Sequence, residues 1–197
     1  MTTTATAPVP QTAPKPAKPK RAPRPLTLEA FRKKYSDRED GFKYEFNNGI
    51  VEKTPNPMKV KQYHIVKNLT RRFIQTEAFK NGDELASELD QLTSATQLRR
   101  PDLALLTAQK LANNDETVSE FVIEIISPTD SFEAVGAKVR EYFAAGVRVI
   151  WQIVPAWETV YVFTSPTKIT VCEGETMCSA APVLPDFEMT AQAIFAK

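Results

Sequence analysis

Phe121-Val122-Ile123-Glu124-Ile125-Ile126 is an apolar run interrupted by one carboxylate. Bounded by Glu120 on one side and Ser127-Pro128 on the other, it suits a short strand buried on both faces of a sheet. Burying a lone carboxylate there costs on the order of several kcal/mol, so Glu124 requires a cation, a base or a proton beside it.

The next stretch supplies a cation. Asp130-Ser131-Phe132-Glu133 has the form of a capping box with Asp130 as N-cap, and predicts a helix to about Ala145 with Gly146 as its C-cap. Val135, Val139, Tyr142 and Phe143 mark the apolar stripe, and Lys138, three after Val135 and four before Tyr142, shares that side. Arg140 and Glu141 fall on the faces where charge is expected. Val147 to Val154 reads as a second buried strand, which makes the unit strand, helix, strand and the fold class α/β. Trp157 to Thr164 and Lys168 to Cys172 suggest a hairpin at the sheet edge, and the tail from Leu184 to Ala196 ends in a short amphipathic helix.

Toward the N-terminus, Pro101-Asp102-Leu103-Ala104-Leu105-Leu106 puts an acid at the start of another apolar strand, and Glu84 to Leu92 also has strand character. Val60, His64, Val66, Leu69, Phe73 and Ile74 predict one helix from about Met58 to Lys80, stopped by Asn81-Gly82. Tyr44-Glu45-Phe46 and Ile50-Val51-Glu52 flank Asn47-Asn48-Gly49, a hairpin signal because Asn and Gly accept positive φ. Leu28 to Tyr35 suits a short helix capped by Thr27.

Composition bounds the function. The chain has 197 residues, 42% hydrophobic and 25% charged, enough for one well-buried core. Residues 1–25 hold seven of the fifteen prolines together with Lys15, Lys18, Lys20, Arg21 and Arg24, and no acid. A disordered basic tail over residues 1–26 is therefore expected before a single domain over residues 27–197. The tail reads either as an electrostatic tether for nucleic acid or as an inert solubilising arm. The net charge of +1 conceals a mildly acidic remainder, unlike a dedicated duplex-binding module. Two cysteines, no secretory signal and no long apolar run point to a cytoplasmic protein with no membrane association.

Asp102 and Glu124 on neighbouring strands form a pair of hard oxygen donors suited to magnesium, which polarises phosphate and activates water. Lys138 beside them would stabilise developing charge on the phosphate or help orient and deprotonate that water. Plainer readings stand next to these: Asp102 as a turn cap after proline, and Glu124 with Lys138 as a structural ion pair. His64, the one histidine, reads as a packing residue and excludes zinc sites of the His₂ or His₃ type. Cys172 and Cys178 lack C-x-x-C spacing and read as spare thiols, and no P-loop or Gly-x-Gly-x-x-Gly occurs. Trp151, Trp157, Tyr161 and Phe163 suit sheet packing better than base stacking.

Pro101-Asp102, Glu124, Ser127-Pro128, Lys138, Tyr142, Ala145-Gly146-Val147, Trp151 and Pro155 together resemble the Uma-two family, bacterial restriction-endonuclease-like proteins of the PD-(D/E)xK nuclease superfamily. The likeness runs from about Glu45 to Leu184-Pro185. It implies a restriction-endonuclease-like core, a mixed central β-sheet flanked by helices, with an added N-terminal hairpin and C-terminal strands. It further implies a magnesium-dependent endonuclease acting on DNA, with manganese as a substitute metal, Asp102 and Glu124 as metal ligands and Lys138 as the catalytic lysine. Glu45 occupies the place of the family's early glutamate, and Glu88 is a further acid before Asp102. The superfamily's lysine commonly lies two residues after the glutamate. Here that position is Ile126, and Lys138 from the following helix takes its place. Val154 stands where many relatives carry Asp or Asn, and Asp186 where glycine is usual. Nucleases that cut both strands often act as dimers, so a homodimer is an expectation. The alternative is a catalytically inactive nuclease-fold interaction or oligomerisation module.

Overall fold

The computed structural model describes residues 25–55, 59–128 and 130–197, so the expected tail falls outside the described residues up to position 24. Helix α1 (Leu28–Tyr35) starts on Thr27, whose side chain accepts from the Ala30 amide. Strands β1 (Phe42–Asn47) and β2 (Ile50–Pro55) form the anticipated hairpin. Asn48 at φ 49° and Gly49 at φ 89° give the two positive angles its tight turn requires.

The helix expected from Met58 to Lys80 is instead two. Helix α2 (Val60–Phe73) ends at Ile74, and α3 (Glu77–Lys80) begins on Thr76. The Thr76 hydroxyl donates to the Phe73 carbonyl and accepts from the Phe79 amide, closing one helix and opening the next. The single strand expected from Glu84 to Leu92 also divides, into β3 (Glu84–Ser87) and β4 (Gln91–Ser94), which join different sheets. Glu88 between them turns the chain at φ 53°.

Then follow β5 (Gln97–Arg99), β6 (Leu103–Leu106), α4 (Ala108–Asn113), β7 (Phe121–Ile125), α5 (Phe132–Ala145) and β8 (Val149–Val154). The predicted edge hairpin is β9 (Thr159–Ser165) with β10 (Lys168–Cys172). The chain closes with β11 (Met177–Ala180), β12 (Leu184–Thr190) and α6 (Ala191–Phe195). The N-cap of α5 is Ser131, which accepts from the Ala134 amide, and not Asp130, whose carboxylate accepts from the Ser127 amide. Gly146 ends α5 at φ 111°, as expected.

The main sheet is mixed, with order β10-β9-β8-β7-β6-β3 and β7 parallel to β8. Its alternating side chains enter two cores. Ile123, Ile125, Trp151 and Ile153 pack with Ile65, Leu69 and Phe73 of α2 and with Ile194 of α6. Val122 and Ile150 pack on the opposite face with Val139 and Tyr142 of α5. Trp151 is fully buried and stacks on Phe187, whereas Trp157 is exposed. The smaller sheet has order β2-β1-β5-β4 and its own core of Phe31, Tyr44, Phe46 and Leu98, which Leu26 joins. No helix among the described residues is long and apolar enough to cross a membrane.

Candidate active site

Glu124 lies on the α5 face of the main sheet, near the end of the parallel pair β7 and β8. The antiparallel register of β6 and β7 sets Leu103 opposite Ile123, and Asp102 immediately precedes β6 at that end. The Ile125 amide donates to Asp102 Oδ2 at 2.6 Å, which fixes the carboxylate at the strand end. The Tyr142 hydroxyl donates to Glu124 Oε1 at 2.6 Å.

Glu45 arrives from the smaller sheet. On β1, Tyr44 and Phe46 enter the small core, so Lys43 and Glu45 face the other way, toward the main sheet. Glu45 Oε1 accepts from the Arg100 amide at 2.9 Å, and Glu45 Oε2 lies 2.7 Å from Lys138 Nζ. Lys138 Nζ lies 3.8 Å from Glu124 Oε1, so this ammonium stands between two buried carboxylates. The structure thus brings Glu45, Asp102, Glu124 and Lys138 into one cluster. Glu88 stands in the turn after β3, within electrostatic reach of Arg100. His64 is half-buried with Nδ1 3.2 Å from Lys67 Nζ, and Cys172 and Cys178 are buried free thiols.

Sequence reasoning missed four members: Lys43, Arg99, Glu141 and Glu52. Lys43 Nζ binds Asp102 Oδ1 at 2.8 Å, and its spacing of two from Glu45 in a strand was the available signal. Arg99, almost fully buried, contacts Glu52 at 2.5 Å, Glu141 at 2.5 Å and Glu45 at 3.6 Å. Glu141, expected on a solvent face, is held by two Arg99 nitrogens and by Thr93. Its position is corrected because α5 packs against the smaller sheet as well as the main one, leaving that flank closed. Nothing local in the sequence marks it.

The electrostatics follow from burial and proximity. Burial pushes the Glu124 carboxyl above its ordinary range, and Asp102 and Glu45 add to that against the pull of Lys138 and Lys43. Burial acts on Glu45 in the same sense, but Lys138, Lys43 and Arg99 prevail and hold it below its ordinary value. For Lys138, burial would lower the ammonium, and Glu124 and Glu45 outweigh it and keep it raised. Glu45, Glu52, Asp102, Glu124 and Glu141 face Lys43, Arg99 and Lys138, five carboxylates against three cations.

A model of the Uma2 family, described as "Putative restriction endonuclease", matches residues 28–192. The chain belongs to this family. A crystal structure titled as a putative nuclease belonging to DUF820, from Anabaena variabilis, has a TM-score of 0.72 and 18% identity, covering 87% of this chain and 98% of that one. That likeness shows the shared nuclease fold, a mixed sheet flanked by helices. No curated protein matches the chain.

The metal that the Uma2 resemblance implies can be tested against these residues. No group of three or more His, Cys, Asp or Glu side chains among the described residues is gathered tightly enough to hold an ion. A cation would therefore rest on Asp102 and Glu124 with water or phosphate completing its shell, which suits magnesium because it binds through one or two carboxylates. The donors are hard oxygens and the cluster carries an excess of negative charge, so the residues present fit such an ion.

Proposed function

We propose that the protein is a magnesium-dependent endonuclease that hydrolyses DNA phosphodiester bonds at the cluster of Asp102, Glu124, Lys138 and Glu45. The observation that carries this reading is the gathering of Asp102, Glu124 and Glu45 with Lys43 and Lys138 at one end of a parallel strand pair. The carboxylates there outnumber the ammonium groups, an excess of negative charge that a divalent cation would offset. Membership of a family described as "Putative restriction endonuclease" supports the reaction class.

Asp102 and Glu124 would hold the metal. Bound there, magnesium supplies a polarised phosphate oxygen and a more acidic water. The chain's own groups do the rest. The Ile125 amide and the Tyr142 hydroxyl fix the two ligand carboxylates before substrate arrives, so little reorganisation remains. Lys138 is kept protonated by Glu124 and Glu45, which makes it an electrostatic partner for charge developing on the phosphate and a poor proton acceptor. Glu45 holds that ammonium in place at 2.7 Å. Manganese, which accepts the same oxygen ligands, is expected to substitute.

Nicking of supercoiled plasmid by the purified full chain, with magnesium, manganese or EDTA, tests the reading beside Asp102→Ala and Lys138→Met. Metal-dependent nicking lost in Asp102→Ala is expected, and Lys138→Met should lose cleavage while retaining metal binding. Absence of nicking with every metal would favour the catalytically inactive scaffold.

A further inference from the structure

Lys43 is the cation of this cluster that the proposed reaction leaves without a task. It is buried on β1, and its ammonium lies 2.8 Å from Asp102 Oδ1 while Oδ2 is taken by the Ile125 amide. Both oxygens of the outer metal ligand are therefore occupied by donors. The same ammonium also feels the charges of Glu124 and Glu45. It thus stands among the carboxylates that a divalent ion would need, and two cations cannot share one carboxylate oxygen in a confined site without strong repulsion.

Resting on the metal-dependent reading above, we infer that Lys43 is the resident counter-cation of the site, displaced from Asp102 by the entering divalent ion and then bound to a phosphate of the nucleic acid. The chemistry of its side chain suits the exchange. A lysine ammonium is a compact point charge on a flexible four-carbon stem, and it binds phosphate without a fixed geometry. The arrangement would keep Asp102 paired while no metal is present, sparing the fold an uncompensated carboxylate. It would also couple metal entry to substrate binding, since the displaced charge finds its next partner on the phosphate backbone.

Calorimetric titration of manganese into the full chain tests the exchange without reference to cleavage. Lys43→Met removes the competitor, and manganese should bind about tenfold tighter than to the wild type. Lys43→Gln, which keeps a polar stem and a donor for Asp102, should show the same direction if the methionine variant folds poorly by circular dichroism. Both variants should bind a short DNA duplex in calcium about tenfold more weakly, because no ammonium at position 43 is left to meet a phosphate. Manganese binding that is unchanged or weaker in the two Lys43 variants, yet lost in Asp102→Asn, would overturn the role of Lys43 and leave the metal site standing. Wild-type protein that binds no manganese through Asp102 would overturn both.

Discussion

Glu124 ties the stability of this protein to pH. Its carboxyl is held above the ordinary range first by burial and then by the Asp102 and Glu45 carboxylates. The folded state therefore retains a proton that the unfolded chain has released, and stability falls as pH rises from the ordinary glutamate range through the raised native value. Glu124→Gln keeps the acceptor for the Tyr142 hydroxyl while removing the charge. The variant should be more stable than the wild type at neutral pH in EDTA, with a higher urea midpoint, and should lack the decline with rising pH. An equal or lower midpoint across that range would show that the charge is already fully compensated by Lys138 and Lys43. Asp115 behaves oppositely: the Thr117 amide and hydroxyl and then Lys110 hold it at about 2. Its contribution is complete above the ordinary aspartate range and disappears as pH falls toward 2, so Asp115→Asn should flatten that part of an acid titration of stability.

At the scale of elements, α5 ties the two sheets together. Val139 and Tyr142 pack on the main sheet, while Lys138 and Glu141 reach Glu45 and Arg99 of the smaller one. Arg99 is 3% exposed, and its removal leaves the buried Glu45 and the half-buried Glu141 with fewer partners. Arg99→Met is expected to cost about 3–5 kcal/mol in urea unfolding. The same change should weaken metal binding, because Glu45 and Lys138 lose their support. The N-cap offers a local control: Ser131→Ala should cost about 1 kcal/mol and leave the affinity for metal unchanged. That outcome would separate loss of helix stability from loss of the clamp.

For the whole molecule, the distribution of charge governs how DNA would be met. The five basic residues of positions 1–25 carry no accompanying acid, and the remainder of the chain has more acids than bases. Deleting residues 1–25 is expected to weaken DNA binding and to reduce the slope of log affinity against log salt by about 0.9 for each phosphate the tail had neutralised. A slope equal to that of the full chain would assign the tail no electrostatic part. Under the proposed reading, association of the remainder with DNA would then depend on cations placed around the cluster.

The local signals were legible wherever their cause is local. Thr27 and Gly146 bound their helices, Asn48-Gly49 turns its hairpin, and the apolar run at Glu124 forms its central strand, because caps, turns and side-chain alternation act over a few residues. Glu124 and Lys138 stood out for the same reason, as charged groups at positions whose periodicity demands burial, and Asp102 as an acid at the start of an apolar strand; the family resemblance added Glu45. The break at Thr76 and the split at Glu88 were not legible, since helical and strand spacing each continue across them and only packing selects the division. Lys43 pairs with Asp102 across 59 positions, and Arg99 with Glu141 across 42. Local patterning sets most of the secondary elements and marks Glu124 and Lys138 as buried charges; the burial of Lys43 and Arg99, and the opposite charge that each of these groups meets, follow from the packed fold, because ion pairing depends on distance in space and carries no periodicity along the chain.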